Sequence, residues 1–235
     1  CRLNLHSKKG KNRRETRTPL KVIVCVSGGS DSVALLHLLH RLSKLLCLKL
    51  HVLFFNHRLR PEANEERDFV ESLAKKYEIP FYCKTSKYLH RGQSGLQEKA
   101  RKWRILESRN ILDSLGGGCI ATGHHADDQT ETILLKLLRG AHISNLKGMC
   151  WSKPPFVRPL LNCSKSELRD FLEINNYIWM EDSSNQSIDY LRNRVRIELI
   201  PLLLSILPTY ASFNILDDLV ICPKNGFEIV PAGIS

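Results

Sequence analysis

The sequence predicts an α/β fold in which crossover helices cover a parallel β-sheet, followed by a small C-terminal helical extension. Three observations lead there. Short apolar runs alternate with longer amphipathic ones through the first two-thirds of the chain. A Ser/Gly loop closes the first apolar run and opens the first amphipathic one, which is how a strand hands over to a helix in a parallel sheet. Hydrophobic residues make up 43% of the 235 residues, enough to bury a core and too many for a globally disordered chain.

Taken in order, residues 22–26 (Val-Ile-Val-Cys-Val) predict the first strand and residues 33–46 the first helix, with Leu35, Leu36, Leu38, Leu39 and Leu42 on a broad apolar face. Residues 50–55 predict a second strand. A charged amphipathic helix over 62–77 stops before Pro80. Residues 81–84 form a short third strand, and 96–115 a helix closed by Gly116, Gly117 and Gly118. Residues 119–121 read as the fourth strand and 129–138 as a helix that ends at Gly140. The pattern then changes. Pro154 and Pro155 break the chain, Ser164 and Glu167 have the spacing of a capping box before a helix over 164–175, and 190–204 read as a last helix. The division expected is a basic flexible tail (1–19), a nucleotide-binding catalytic domain (20–150), a helical extension (151–205) and an unassigned tail (206–235).

Lys and Arg number 35 against 24 Asp and Glu, a formal charge of +11 that suits a polyanionic partner. Eight cysteines are scattered singly at 1, 25, 47, 83, 119, 150, 163 and 222, without Cys-x-x-Cys or zinc-finger spacing. That usage predicts a reducing compartment with no disulfide framework. No stretch is apolar for long enough to span a bilayer.

The loop Ser27-Gly28-Gly29-Ser30-Asp31-Ser32 carries the first chemical signal. Two glycines let backbone approach a phosphate, exposed N–H groups and a helix N-terminus favour negative charge, and Asp31 can hold a magnesium ion. A helix-capping turn has similar composition; the placement between strand and helix favours the phosphate loop. The segment 121–131 crowds His124, His125, Asp127 and Asp128 at the end of the fourth strand, on the same sheet edge. Asp127 and Asp128 can complete a magnesium site with Asp31, and either histidine can orient substrate or move a proton. Zinc ranks lower in the absence of a cysteine. Gln129 and Glu131 read as residues that open the following helix.

The loop resembles the Ser-Gly-Gly-x-Asp-Ser pyrophosphate (PP) loop of the ATP pyrophosphatase superfamily. Further motifs narrow the resemblance: His57-x-Leu59-Arg60; Ala100-Arg101-x-x-Arg104; the run from Ala121 to Thr132; Leu138-Arg139-Gly140; Leu146-x-Gly148-Met149; Arg158-Pro-Leu-Leu161; Glu181 to Asn185; and Tyr190-x-Arg192-Asn193 with Arg196 and Pro201. In that order they are similar to the tRNA(Ile)-lysidine synthase family, in a short form lacking that family's extra C-terminal domains. The sequence departs from the family pattern at Ile105, His142 and Asn145.

The resemblance implies a Rossmann-like adenine nucleotide alpha hydrolase (PP-loop) domain that uses ATP and Mg²⁺. It implies ligation of free L-lysine to C2 of the wobble cytidine in the CAU anticodon of tRNA(Ile), through an adenylated intermediate, with release of pyrophosphate and AMP. Ser27, Gly28, Gly29, Ser30, Asp31 and Ser32 would hold the ATP phosphates, and Asp31 and Asp128 the magnesium. His57, Arg101, Arg104, His124, Asp127 and Asp128 would join Asp31 as catalytic residues around the reaction cleft. Arg139, Arg192, Arg194 and Arg196 would contact tRNA phosphates, although Arg192 and Arg196 also fit a partly paired helix face. Trp103 and Trp179 are candidates for base stacking. Two rivals are a tRNA 2-thiolation enzyme of the same superfamily, weakened by the missing Cys-x-x-Cys, and a non-catalytic RNA-binding derivative. A short cysteine-rich form predicts a plastid stroma ahead of a bacterial cytoplasm, with no membrane attachment.

Overall fold

Alternation along the first strand builds two cores at once. In the computed structural model, which describes residues 18–57, 63–90, 92–181 and 191–206, strand β1 (Leu20–Cys25) turns Val22 and Val24 to one face and Ile23 to the other. The motif residues Leu59, Arg60, Asp182 to Asn185 and Tyr190 lie outside the described residues, as do most of both tails.

Chain order continues as α1 (Ser30–Leu42), β2 (Leu48–Asn56), α2 (Ala63–Lys76), β3 (Phe81–Thr85), α3 (Leu96–Ser114), β4 (Cys119–Ala121) and α4 (Ala126–Leu138). Then follow β5 (Ser152–Lys153), β6 (Phe156–Val157) and α5 (Lys165–Ile174). A last helical run passes from α6 (Leu191–Arg194) through a π-helical turn (Val195–Leu199) into α7 (Ile200–Ile206). The π turn spans Ile197, whose carbonyl lies four residues before Pro201. Proline has no N–H to bond it and its ring would press on it, so a wider turn there relieves the clash.

The sheet order is β3-β2-β1-β4-β6-β5. Every pair is parallel except β5 with β6. On one face α1, α2 and α5 bury Leu35, Leu36, Val70, Leu73, Leu168 and Leu172 against Val22, Val24, Val52 and Phe54. On the other, Ile111 and Leu112 of α3 pack on Ile23, Leu53 and Ile120. Fully burying such a side chain contributes about 1.5–3 kcal/mol, so these two layers fix the sheet on which the site stands.

Two expectations need correction. The segment after 150, expected as a helical extension broken at Pro154 and Pro155, opens with two short strands before its first helix. Pro154 and Pro155, joined by a cis bond, form the turn between them, and β6 extends the sheet by pairing Phe156 with Ile120. The first helix also begins three residues earlier than its apolar periodicity indicated, because Ser30, Asp31 and Ser32 form its first turn behind Gly29 as N-cap. It ends at Leu42, where Leu48 N–H donates to Ser43 O (2.8 Å) and Cys47 takes a left-handed φ of 52° to turn into β2.

Candidate active site

The strand order places the site. From β1 the chain crosses to β2 and β3 on one side, whereas β4 lies on the other side of β1. The crevice where strand order reverses, outside the carboxyl ends of the strands, is where open α/β sheets bind ligands. The loop after β1 and the segment after β4 both open into it.

Gly28 makes the turn with φ 97°, a conformation that side chains disfavour, and its carbonyl accepts from Met180 N–H at 2.9 Å. Ser32 works inside the loop: its hydroxyl donates to Gly29 O (2.9 Å) and accepts from Ser27 N–H (3.1 Å). Ser30 donates to Asp31 Oδ1 (3.1 Å). The segment after β4 crosses directly over this turn. A Cβ on Gly123 would stand 3.2 Å from Asp31 O and from Ser32 N, so a larger residue there would press on the phosphate loop.

The resulting cleft has a volume of about 390 Å³, within the range of small-molecule sites. Ser27, Gly29, Ser30 and Asp31 line one wall, and His125 and Asp128 another. Lys165 and Arg169 enter from α5, and Trp179, Met180 and Glu181 from the segment behind it; Glu66 and Arg196 complete the rim. Of the residues singled out for phosphate or magnesium, Gly28 and Ser32 act behind the surface instead of lining it.

His125 is almost fully buried among carboxylates. Its Nε2 lies 3.5 Å from Asp31 Oδ2 and 3.5 Å from Asp128 Oδ2, and its Nδ1 3.5 Å from Asp127 Oδ2. These contacts are long for hydrogen bonds but close for charges. Burial alone would lower the imidazole's pKa, yet Asp127, Asp31 and Asp128 together push it up to about 9. Asp31 and Asp127 are held below the usual carboxylate range, Asp31 against the opposing effect of its burial. His124 goes the other way. Burial lowers it to about 4 despite the pull of Asp128, and the charges of Arg158, Arg192 and Arg101 reinforce the drop. Its Nδ1 bonds Thr122 Oγ1 at 2.9 Å. Adjacent histidines therefore sit in opposite charge states at neutral pH, His125 cationic and His124 neutral.

The rest of α4 ties the site to distant chain. Asp127 Oδ2 accepts from Lys165 N–H (2.9 Å) and so anchors the start of α5, where Ser164 and Glu167 form the predicted capping box. Gln129, expected only to open a helix, grips Met149 through both backbone groups, with its amide against Gly148. Glu131, expected in the same role, is completely buried. Its Oε2 accepts from Arg192 Nε (2.6 Å) and its Oε1 from Arg196 Nε (2.5 Å), while Arg192 Nη2 reaches Asp128 Oδ1 at 2.6 Å.

The other predicted residues are not among those lining the cleft. His57 packs edge-on against Trp103 with ring centroids 5.2 Å apart. Arg101 and Arg104 stand on α3, exposed, and Arg101 acts on His124 through its charge. Arg139 caps the C-terminus of α4 in solvent, and Arg194 pairs with Glu198 at 3.1 Å. Lys165, Arg169, Glu66 and Glu181 were missed as cleft residues. The capping box did place Lys165 at a helix start, but only the Asp127 contact turns that start toward the loop.

The donor set fits a magnesium ion beside phosphates, which needs one or two carboxylate oxygens. Asp31 faces the cleft and would supply them. Asp128 has Oδ1 committed to Arg192 and Oδ2 accepting from His125 N–H (3.1 Å), so it would offer a metal only the remaining lone pair of Oδ2.

A family model described as PP-loop domain matches residues 4–203. The chain is 36% identical over 193 residues to a tRNA(Ile)-lysidine synthase of Petrotoga mobilis, covering 81% of this chain and 62% of that protein. It is 35% identical over 200 residues to one of Enterococcus faecalis, covering 83% and 43%. It thus spans about two-fifths to three-fifths of these curated relatives. The U34-tRNA thiolase NcsA of Methanococcus maripaludis, solved with its iron–sulfur cluster, superposes with a TM-score of 0.64 at 19% identity, covering 86% of this chain and 72% of that one. At that identity the likeness concerns the fold.

Proposed function

The chain belongs to the PP-loop domain family, and from that membership we propose that it is a tRNA(Ile)-lysidine synthase using ATP. The observation that carries this reading is the cleft itself: an Asp-bearing Ser/Gly loop at a helix N-terminus, faced by Lys165, Arg169 and a cationic His125. The curated relatives of that name support it.

In the reaction, the C2 carbonyl oxygen of the wobble cytidine attacks the α-phosphorus of ATP. An O–P bond forms and pyrophosphate leaves with the electrons of the broken P–O bond. The ε-amine of lysine then attacks C2, AMP departs, and a proton is lost from nitrogen. No protein nucleophile is needed. The chain would contribute positioning and charge: N–H groups at the start of α1 would face the phosphates, and Lys165 and Arg169, both lining the cleft, would offset negative charge on the leaving pyrophosphate. His125, with Nε2 3.5 Å from an oxygen of each, partly neutralises the Asp31 and Asp128 carboxylates. Mg²⁺, held by Asp31, would supply Lewis-acid stabilisation of the same phosphates.

Among the described residues lining the cleft there is no cysteine, and burial pushes the nearby Cys25 thiol up to about 11, far from a reactive thiolate. Both observations favour amine over sulfur transfer. No helix of the described residues is long and apolar enough to cross a membrane. The free thiols of the described cysteines suit a reducing compartment, while the relatives lend no support to a plastid over a bacterial cytoplasm.

The test is incorporation of radiolabelled lysine into tRNA(Ile) carrying an unmodified CAU anticodon, with ATP and Mg²⁺. It runs beside Asp31→Ala and an initiator tRNA control. Label entering tRNA(Ile) only, and only with Asp31 intact, is expected. A folded protein that binds ATP and yields no label would refute the reading.

A further inference from the structure

A second cavity, of about 190 Å³, opens beyond the end of β3, with Ser86, Tyr88, Leu89, Gln93, Lys99 and Trp103 around it. None of the chemistry above uses it. Its wall is aromatic on two sides. Trp103 is braced edge-on by Phe55 (centroids 5.4 Å apart) and by His57, so its ring is held in place before anything binds. Tyr88 is 77% exposed, so its ring is open to a partner at the mouth of the cavity. The polar element is more telling. Gln93 Oε1 is shielded from solvent and finds no hydrogen-bond partner among the described residues, an unfavourable state that a donating ligand would relieve. Lys99 stands at the same cavity and contributes a positive charge.

Two aromatic rings, one acceptor in search of an N–H, and one cation match a nucleobase bearing an exocyclic amine with its phosphate alongside. We infer that this cavity receives an unstacked base of the RNA substrate. The base would stack on Trp103 or Tyr88, draw the Gln93 amide round so that Oε1 accepts from its amine, and place its backbone phosphate near Lys99. The cavity is separate from the phosphate cleft but lies on the same carboxyl edge of the sheet, so RNA laid along that edge meets both. This inference rests on the substrate being RNA. The adenine of ATP has the same edge chemistry, so the experiment includes an arm for each source.

The experiment compares Tyr88→Ala and Gln93→Leu with the unaltered protein. Equilibrium binding of unmodified tRNA(Ile) transcript is read by filter retention without ATP or lysine, and the KM for ATP is measured separately. Tyr88 is exposed and Gln93→Leu keeps the side chain's size, so circular dichroism should remain that of the parent. Loss of one stacked base should weaken RNA binding about ten- to a hundredfold while leaving the KM for ATP unchanged. Lys99→Ala should lower the salt slope of RNA binding by about 1. Unchanged RNA affinity in both variants would overturn the inference, and so would a rise in the KM for ATP without an RNA effect. Because binding is read without turnover, a protein that binds tRNA through this cavity but ligates no lysine would refute the lysidine reading and leave the inference standing.

Discussion

Replacing Glu131 by alanine should both destabilise the protein and release its C-terminal helix. The carboxylate is completely buried and accepts one hydrogen bond from each of Arg192 and Arg196, at 2.6 and 2.5 Å. Bonds to charged groups contribute about 1.5–3 kcal/mol each, and breaking a buried pair by removing one partner costs about 3–5 kcal/mol. The arginines are not fully buried, with side-chain exposures of 45% and 29%. They recover water on one side, and Arg192 keeps Asp128. A loss of about 2–4 kcal/mol follows from that discount. Urea denaturation would read it as a lower midpoint, and hydrogen exchange would localise it to residues 191–206. The double variant with Arg196→Ala should cost clearly less than the sum of the singles, by about 0.5–3 kcal/mol. A loss below about 0.5 kcal/mol, as for an exposed pair, or strict additivity in the double variant, would refute the reasoning.

Other expectations follow from the same geometry. In an NMR titration His125 should titrate near pH 9 and His124 near pH 4, and convergence of both near 6.5 would remove the basis for one being cationic and the other neutral. Because the folded-state value of His125 lies above its unfolded value, its stabilisation is complete below about pH 6.5 and is lost as pH rises through 9. His37 shows the reverse linkage. It is stacked on Tyr177 at 3.6 Å and bonded to the Tyr77 hydroxyl, and burial with nearby Lys76 and His40 lowers it to about 4. Its contribution is therefore intact above about pH 6.5 and fades as pH falls toward 4, so His37→Phe should flatten the acid limb of a stability–pH curve. Gly118→Ala should destabilise by more than about 1 kcal/mol in thermal melts, since φ is 135° and the new Cβ would meet Lys21 O at 2.2 Å beside the β1–β4 pairing.

The first four strands and the loop after β1 were legible because each announces itself locally: an apolar run, a glycine pair, a change of periodicity. The β5–β6 pair was not, since strands of two residues have no period and Pro154–Pro155 reads as an interruption until both sides are seen on the sheet. The cleft was half visible. Asp31, His125 and Asp128 lie in motifs, whereas Lys165 and Arg169 reach it only through a packing of α5 on α1 that no local pattern records. The burial of Glu131 escaped for the same reason: its partners lie more than sixty residues downstream, and an acidic residue early in a helix is ordinarily explained by the helix itself.

One turn and a half of α4 thus serves four masters, with Asp127 reaching α5, Asp128 the cleft, Gln129 the strand-side loop at Met149 and Glu131 the last helix. Successive helical residues point about 100° apart, which is how neighbours in sequence can address different parts of the molecule. The arrangement should tolerate exchange at Thr130, whose hydroxyl, among the described residues, bonds only back to Ala126 O within the same helix (3.5 Å), far better than any change of length. Deleting a single residue between His125 and Glu131 would rotate every later side chain by about a quarter-turn and more, handing each partner the wrong group at once. In this stretch, spacing is a stricter constraint than composition.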